Sequence, residues 1–219
     1  VQQFGAGGKK PLVIKQCVQV TPEIVSIPSG RTDLIPEGHE LVDKRINAPV
    51  TFPTFNGTLR ESQQEIYDAV DSSCIINAAP SWGKTYSGIA IATKLGQKTL
   101  IIVHTLALRG QWVKEIKKTL GIDAGVIGSG KFDIEPSIVV ANIQTISKMH
   151  LKVSEVFGTL IVDECYHCPA STFLKVVNNS KAKYKIGLSG TLERKDGLHV
   201  LLTDLFSKRS KYFIPGLYQ

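Results

Sequence analysis

The chain has 219 residues, of which 42% are hydrophobic and 21% charged, with a mean hydropathy of +0.03 and a formal net charge of +7. This composition excludes wholesale disorder, and the length fits one substantial domain with at most a small addition. No apolar run approaches the roughly 18 residues of a membrane span, and residues 1–10 lack the apolar stretch of a signal peptide. Four cysteines do not form a disulfide scaffold, which favours a reducing compartment.

The positive charge is concentrated near the C-terminal end. Residues 181–219 hold eight basic and three acidic residues, whereas residues 1–50 hold six and five. Such an excess indicates nucleic acid or another polyanion as a partner, or a solvated face. Charge alone does not decide between these two interpretations.

The sequence pattern of the N-terminal part is typical of a small β-rich element. Residues 11–50 contain short apolar pieces interrupted by the turn sequences P-S-G-R and P-E-G-H. We therefore predict an accessory β-rich element over residues 1–50. Residues 47–58 carry two prolines and a glycine, and we place a linker at residues 51–58.

From residue 59 onward, short apolar runs alternate with amphipathic stretches. Runs without polar alternation, separated by helices, predict a parallel sheet that is buried on both faces. The predicted fold class is therefore α/β, and ligands should bind beyond the carboxyl ends of the strands. Strands are predicted at 73–77, 99–103, 137–141, 159–163 and 185–189, and helices at 59–70, 84–95, 105–119, 142–150 and 171–179.

A phosphate-binding loop follows the first predicted strand. The sequence A-A-P-S-W-G-K-T at residues 78–85 fits the Walker A pattern, with Ala78 in place of the first glycine. Backbone N–H groups and the following helix N-terminus would bind phosphate. Lys84 is predicted to reach the β- and γ-phosphates, and the Thr85 hydroxyl to bind Mg²⁺. The remaining nucleotide-binding candidates in the loop are Ala79, Pro80, Ser81, Trp82 and Gly83.

An acidic pair ends the fourth apolar run. Asp163 and Glu164 follow T-L-I-V, which is the Walker B arrangement at a strand end downstream of a phosphate loop. Asp163 would hold Mg²⁺ directly or through water, and Glu164 would orient or deprotonate the attacking water. The alternative is an acidic pair that caps the next helix.

The G-K-T triplet and the segment V-D-E-C-Y-H-C-P-A-S-T-F-L-K-V together resemble the superfamily 2 DExH helicases and translocases. The similarity covers residues 59–205 and is strongest to XPB-like enzymes and phage branch-migration helicases of the UvsW type. It implies a RecA-like ATP-binding domain, ATP and Mg²⁺ as cofactors, and duplex or branched DNA as the partner. It also implies the cytoplasm of a bacterial or infected host cell. We expect the isolated chain to be a weakly active fragment, with a second RecA-like domain elsewhere in a longer protein.

The resemblance assigns further residues to the nucleotide and to coupling. In L-R-E-S-Q, residues 59–63, Gln63 would read the adenine edge, with Arg60 beside it. L-S-G-T, residues 188–191, resembles the motif that links nucleotide state to the nucleic-acid path. The coupling candidates are Tyr166, which replaces the family's histidine, and Ser189, Gly190 and Thr191.

Two further segments resemble the family's nucleic-acid contacts. They are H-T-L-A-L-R-G-Q-W at residues 104–112 and A-N-I-Q-T-I-S at residues 141–147. The candidate residues for nucleic-acid binding are Thr105, Arg109, Gln111, Gln144 and Thr145. Two alternatives stay open: the motor part of a restriction–modification enzyme, and a degenerate nucleotide-binding module, which Tyr166 and the expected missing domain suggest.

Overall fold

A single open sheet organises most of the chain. The structure, a computed structural model, describes residues 17–165, 170–190 and 204–206, together with short strands at 2–3, 12–13 and 212–213. Within these residues the main sheet has eight strands, and two further antiparallel pairs lie near the N-terminus.

The elements follow one another in the order that the sequence predicts. The strands are β1 (Gln2–Gln3), β2 (Leu12–Val13), β3 (Val18–Thr21), β4 (Ile24–Ser26), β5 (Cys74–Asn77), β6 (Thr99–Val103), β7 (Gly125–Gly128), β8 (Lys131–Phe132), β9 (Ile138–Asn142), β10 (Thr159–Val162), β11 (Tyr184–Ser189) and β12 (Tyr212–Phe213). The α-helices are α1 (Glu61–Ala69), α2 (Lys84–Leu95), α3 (Leu106–Leu120), α4 (Ile143–Val153) and α5 (Ala170–Asn179). None of the helices described is long and apolar enough to cross a membrane.

The main sheet has the strand order β12-β5-β11-β10-β6-β9-β7-β8. Neighbouring strands are parallel except for β8, which pairs antiparallel with β7. Thr159 of β10 is in register with Thr99 of β6 and with Tyr184 of β11. The carboxyl ends of the central strands therefore lie along one edge, where the residues that follow them can meet.

Both faces of the sheet are buried beneath helices. Successive side chains along a strand point to opposite faces, so Ile75 and Ile102 pack in the cluster with α4 and α5, whereas Ile76 and Ile101 pack in the cluster with α1, α2 and α3. This arrangement explains why the apolar runs show no polar alternation. The predicted α/β class is confirmed.

The predicted elements agree closely with those observed. Each of the five predicted strands begins and ends within one residue of its prediction, and each helix within three. The β7–β8 hairpin was not predicted. Its two strands have only four and two residues and are joined through Ser129 and Gly130, so no continuous apolar run marks them.

The N-terminal part contains the antiparallel hairpin of β3 and β4. Beyond this hairpin, the Ser29 hydroxyl donates to the Leu205 carbonyl at 2.8 Å, and Arg31 lies 3.5 Å from Asp204. The chain after the hairpin is thus tied to the short helical stretch at 204–206.

The proline-containing stretch before α1 runs along the α/β domain in extended form. The Val50 N–H donates to the Gly96 carbonyl at 3.0 Å, and the Asn56 N–H donates to the Thr119 carbonyl at 2.9 Å. Phe52 and Phe55 pack against the cluster beneath α1, α2 and α3. The stretch that contains the predicted linker is therefore anchored on the domain that follows it.

Candidate functional site

The phosphate-loop residues lie between β5 and α2, at the carboxyl edge of the sheet. The Ala78 N–H donates to the Ser189 carbonyl at 2.8 Å, which joins the loop to the end of β11. Gly83 adopts a left-handed φ of 94°, and a Cβ there would lie 2.6 Å from Gln63 Nε2. The left-handed φ favours glycine here, and a Cβ would also displace the Gln63 amide. The first-turn N–H groups of α2 then face the edge where a phosphate would bind.

Lys84 is the first residue of α2, where the phosphate loop ends. Its Nζ donates to the Ala78 carbonyl at 3.1 Å and lies 3.5 Å from Glu164 Oε1. The side chain is 11% exposed, so its charge acts in a partly desolvated pocket. Lys84 and Glu164, both predicted to be catalytic, are thereby brought together from α2 and the end of β10.

Asp163 is buried and firmly oriented. Trp112 Nε1 donates to Asp163 Oδ2 at 2.8 Å, and the Glu164 N–H donates to Asp163 Oδ1 at 3.0 Å. Burial raises the pKa of Asp163 above its ordinary value, although the Trp112 hydrogen bond lowers it. A divalent cation at this carboxylate would favour the charged form.

Glu164 connects the acidic pair to the end of β11. It adopts a left-handed φ of 49°, which is uncommon for a residue other than glycine. Its Oε2 accepts the Gly190 N–H at 3.4 Å, and a Cβ at Gly190 would lie 3.3 Å from Lys84 Nζ. Two of the predicted coupling residues, Ser189 and Gly190, therefore border the catalytic pair. Tyr166 and Thr191 lie outside the described residues.

The predicted magnesium ligands line one cavity. Thr85 and Asp163 border a space of about 450 Å³, which Glu164 and the loop residues Pro80, Ser81 and Gly83 also line. Among the described residues there is no cluster of three or more His, Cys, Asp or Glu side chains that could hold a metal alone. One hydroxyl and one buried carboxylate fit Mg²⁺, which keeps several waters and takes its other ligands from phosphate.

Arg60 and Gln63 hold the phosphate loop from α1. The Arg60 guanidinium donates to the Trp82 carbonyl, and Gln63 Nε2 donates to the same carbonyl at 2.9 Å. Gln63 Oε1 accepts the backbone N–H of Arg60 at 2.9 Å. Trp82 Nε1 donates to the Ser62 hydroxyl at 3.1 Å, and the ring packs on the core. Gln63 is 3% exposed with both ends of its amide engaged within the chain. Its contact with adenine stays a prediction.

Four of the nucleic-acid candidates lie at the neighbouring strand ends of β6 and β9. Thr105 accepts the Leu108 N–H at 3.1 Å and caps α3, while Gln144 donates to the His104 carbonyl at 3.0 Å. Arg109 donates to Asn142 Oδ1 at 2.8 Å and to the Ser129 hydroxyl at 3.0 Å, which links α3 to the β7–β8 hairpin. Thr145, in the first turn of α4, completes this group.

Gln111 lies apart from that group. It lines the cavity, and its Nε2 donates to Thr85 Oγ1 at 3.1 Å. Trp112, whose indole holds Asp163, was not among the candidates. Periodicity along a helix does not reveal that an indole N–H meets a carboxylate 51 positions away in the sequence.

Comparison with known proteins identifies relatives over most of the chain. The family model described as "Type III restriction enzyme, res subunit" matches residues 56–194. "Probable helicase D10" of Escherichia phage T5 is 49% identical over 211 residues, which cover 94% of this chain and 46% of the relative. "DNA 3'-5' translocase XPB2" of Sulfurisphaera tokodaii is 30% identical over 188 residues, or 81% of this chain and 42% of that protein.

Two solved structures share the fold. The UvsW helicase of bacteriophage T4 matches with a TM-score of 0.65 at 21% identity, over 76% of this chain and 64% of that chain. The Sulfolobus solfataricus SWI2/SNF2 ATPase core in complex with dsDNA matches with a TM-score of 0.58 at 18% identity, over 70% and 36%. The main sheet therefore has the RecA-like fold. The chain spans about half of the T5 relative, at 46% of its length.

Proposed function

The chain belongs to the helicase family defined by the type III restriction enzyme res subunit, and from that premise we propose that it is the ATP-binding motor domain of a DNA helicase or translocase. The observation that carries this proposal is the convergence of Lys84, Thr85, Asp163 and Glu164 on one cavity. These side chains come from two elements far apart in sequence, and they are the types that phosphoryl transfer requires.

The proposed nucleotide chemistry assigns a separate task to each residue. Lys84 and the first-turn N–H groups of α2 would bind the β- and γ-phosphates. Thr85 and Asp163 would hold Mg²⁺, which when bound neutralises charge on the phosphate oxygens. To reach phosphate, the Lys84 Nζ would exchange its contacts with the Ala78 carbonyl at 3.1 Å and with Glu164 Oε1 at 3.5 Å for charged phosphate oxygens.

Glu164 would act on the attacking water. Its carboxylate lies 3.5 Å from Lys84 Nζ and accepts the Gly190 N–H at 3.4 Å. When Lys84 turns to phosphate, the Lys84–Glu164 contact would loosen and free one carboxylate oxygen to orient water. The hydrogen bond from the Gly190 N–H would keep the other carboxylate oxygen in place. A movement of Glu164 would therefore be transmitted to the end of β11.

DNA is the proposed polymer on which the motor acts. Thr105, Arg109, Gln144 and Thr145 lie at adjoining strand ends and offer hydroxyl, guanidinium and amide donors, which are the groups that bind phosphate oxygens. The net charge of +7 favours a polyanion. The Sulfurisphaera relative, which is named as a DNA translocase, supports DNA as this polymer. Movement on duplex or branched DNA is the finer part of the proposal.

We also propose a second RecA-like domain in the whole protein. The chain covers 46% of the T5 relative and 42% of the Sulfurisphaera one, which leaves room for another domain of similar size. Such a domain would close the nucleotide cavity and supply the arginine that neutralises transition-state charge.

Two substitutions test the nucleotide assignment. Lys84→Ala should weaken binding of a fluorescent ATP analogue in the presence of Mg²⁺ at least about tenfold, because it removes a charge-assisted contact. Glu164→Gln should keep binding within about twofold while reducing hydrolysis about a hundredfold or more, because the water loses its base. Binding is measured by fluorescence titration of the chain, and hydrolysis by phosphate release from the whole protein with duplex DNA.

Lys114→Ala is the matched control. Lys114 is exposed on α3 and carries the same charge as Lys84, so its loss should change neither measurement. Equal binding by the Lys84→Ala variant and the parent chain would overturn the nucleotide site. Unchanged hydrolysis in Glu164→Gln would remove Glu164 from the chemistry.

A restriction–modification enzyme is the second candidate. The family description names a restriction enzyme subunit, and such enzymes couple a motor to a nuclease. Incubating the whole protein with ATP and plasmid DNA distinguishes the two. ATP-dependent cleavage favours the restriction enzyme, whereas ATP turnover with intact DNA favours the helicase.

A further inference from the structure

Helix α3 touches both predicted magnesium ligands through adjacent residues. Gln111 Nε2 donates to Thr85 Oγ1 at 3.1 Å, and Trp112 Nε1 donates to Asp163 Oδ2 at 2.8 Å. Thr85 is the second residue of α2 and Asp163 follows β10, so one helix holds the two sides of the cation site. The Thr85 oxygen has two lone pairs, and one stays available to a cation while the other accepts from Gln111.

Trp112 packs between α2 and the residues that follow β10, and so sets the distance between them. Its side chain is fully buried, at 0% exposure. A Cβ at Gly88 would lie 2.7 Å from Trp112 Cη2, so the indole rests directly on the backbone of α2. The ring therefore contacts the phosphate-loop helix while its N–H holds the carboxylate that follows β10.

The same helix carries nucleic-acid candidates in its first turns. Thr105 caps α3, and Arg109 ties it to Asn142 at the end of β9. Trp112 lies seven residues beyond Thr105, or about 10 Å along a helix axis. A rigid shift of α3 at its N-terminal end would reach Thr85 and Asp163 without any intervening loop.

We propose that Gln111 and Trp112 are positioning residues that hold the two magnesium ligands and connect them to the nucleic-acid end of α3. This inference rests on the proposed function. Neither residue touches the reacting atoms. They set the position of the Thr85 hydroxyl and the Asp163 carboxylate, and so the affinity of the site for the Mg²⁺–nucleotide complex.

Apolar packing alone does not explain Trp112. A phenylalanine would fill much of the same space beside Gly88, but it has no N–H for Asp163. Trp112→Phe therefore separates packing from positioning. Gln111→Ala provides a second variant that does not threaten the core, because Gln111 is exposed.

The test measures binding of a fluorescent ATP analogue by the parent chain and both variants, with Mg²⁺ and with EDTA. In Trp112→Phe, the affinity in EDTA should stay within about twofold of the parent. The factor by which Mg²⁺ increases the affinity should fall about tenfold, because the Asp163 carboxylate loses the N–H that orients it. Gln111→Ala should show a smaller loss in the same direction. Gln64→Ala, an exposed glutamine of α1, is the control and should bind like the parent.

A second arm adds a short duplex oligonucleotide. In the parent chain DNA and nucleotide should alter each other's affinity by the same factor. In Trp112→Phe that factor should move toward one, while DNA affinity without nucleotide stays unchanged. A merely structural role would leave both the Mg²⁺ enhancement and the coupling factor as in the parent.

The outcomes distinguish this inference from the proposed function. If the parent chain binds nucleotide with Mg²⁺ and Trp112→Phe matches it in both arms, the positioning role is wrong and the nucleotide site stands. If the variant loses the same factor of affinity with Mg²⁺ and with EDTA, so that the enhancement by Mg²⁺ is unchanged, packing alone explains Trp112. If the parent binds no nucleotide, both proposals fall together.

Discussion

Lys185, a single residue of β11, couples stability to pH. It is 6% exposed, its Nζ donates to the Val177 carbonyl at 3.0 Å, and burial lowers its pKa to about 8. The unfolded chain therefore holds this proton more tightly than the folded one. Between about pH 8 and the unfolded pKa of roughly 10.4, stability should rise with pH, because the penalty for a buried charge disappears.

Lys185→Met should consequently raise the free energy of unfolding at neutral pH. The gain should be about 1 to 2 kcal/mol, because relief of charge burial is partly offset by the lost bond to the Val177 carbonyl. The difference from the parent should shrink near pH 10. Urea unfolding at both pH values measures it, with the exposed Lys175→Met as the control. A difference that does not change with pH would contradict the account.

At the scale of elements, two helical glycines should respond oppositely to a methyl group. A Cβ at Gly88 of α2 would lie 2.7 Å from Trp112 Cη2, whereas a Cβ at Gly110 of α3 would meet nothing within 4 Å. Gly88→Ala should destabilise the protein by about 1 to 3 kcal/mol through overpacking. Gly110→Ala should stabilise it by about 0.5 to 1 kcal/mol, because alanine favours a helix. Thermal unfolding of the two variants and the parent measures these changes in stability. A change of the same sign in both variants would contradict the close packing of α2 on α3.

Sequence patterns predict those elements that bury continuous apolar runs. The strand Thr99–Val103 and helix Lys84–Leu95 have the predicted limits, because burial on both faces of a sheet or the start of a phosphate loop leaves a strong local pattern. The β7–β8 hairpin leaves none. The need for its glycines appears only when the hairpin lies beside β9, where a Cβ at Gly128 would lie 2.5 Å from Arg109 Nη1.

Part of the site can be read from the sequence in the same way. Lys84, Thr85, Asp163 and Glu164 were predicted because their motifs are local, and the structure places them around one cavity. The bonds from Gln111 and Trp112 were not predicted, since they join residues 26 and 51 positions apart. Such contacts depend on how α2, α3 and β10 pack.

At the scale of the whole molecule, the chain spans 46% of the T5 relative. If a second domain supplies the arginine for transition-state charge, the chain alone should bind nucleotide but hydrolyse it slowly. The whole protein should be faster by about three to five decades. Phosphate release by both, with and without duplex DNA, measures the ratio. Equal DNA-stimulated turnover by the chain alone would show that no further domain is needed.

The most direct test of the central claim is the anomalous scattering of Mn²⁺ in crystals of the chain grown with a non-hydrolysable ATP analogue. The account predicts a Mn²⁺ peak between the Thr85 hydroxyl and the Asp163 carboxylate, bound directly or through one water, with Lys84 on the terminal phosphates. A triphosphate bound away from residues 78–85, or a metal peak that contacts neither Thr85 nor Asp163, would contradict it.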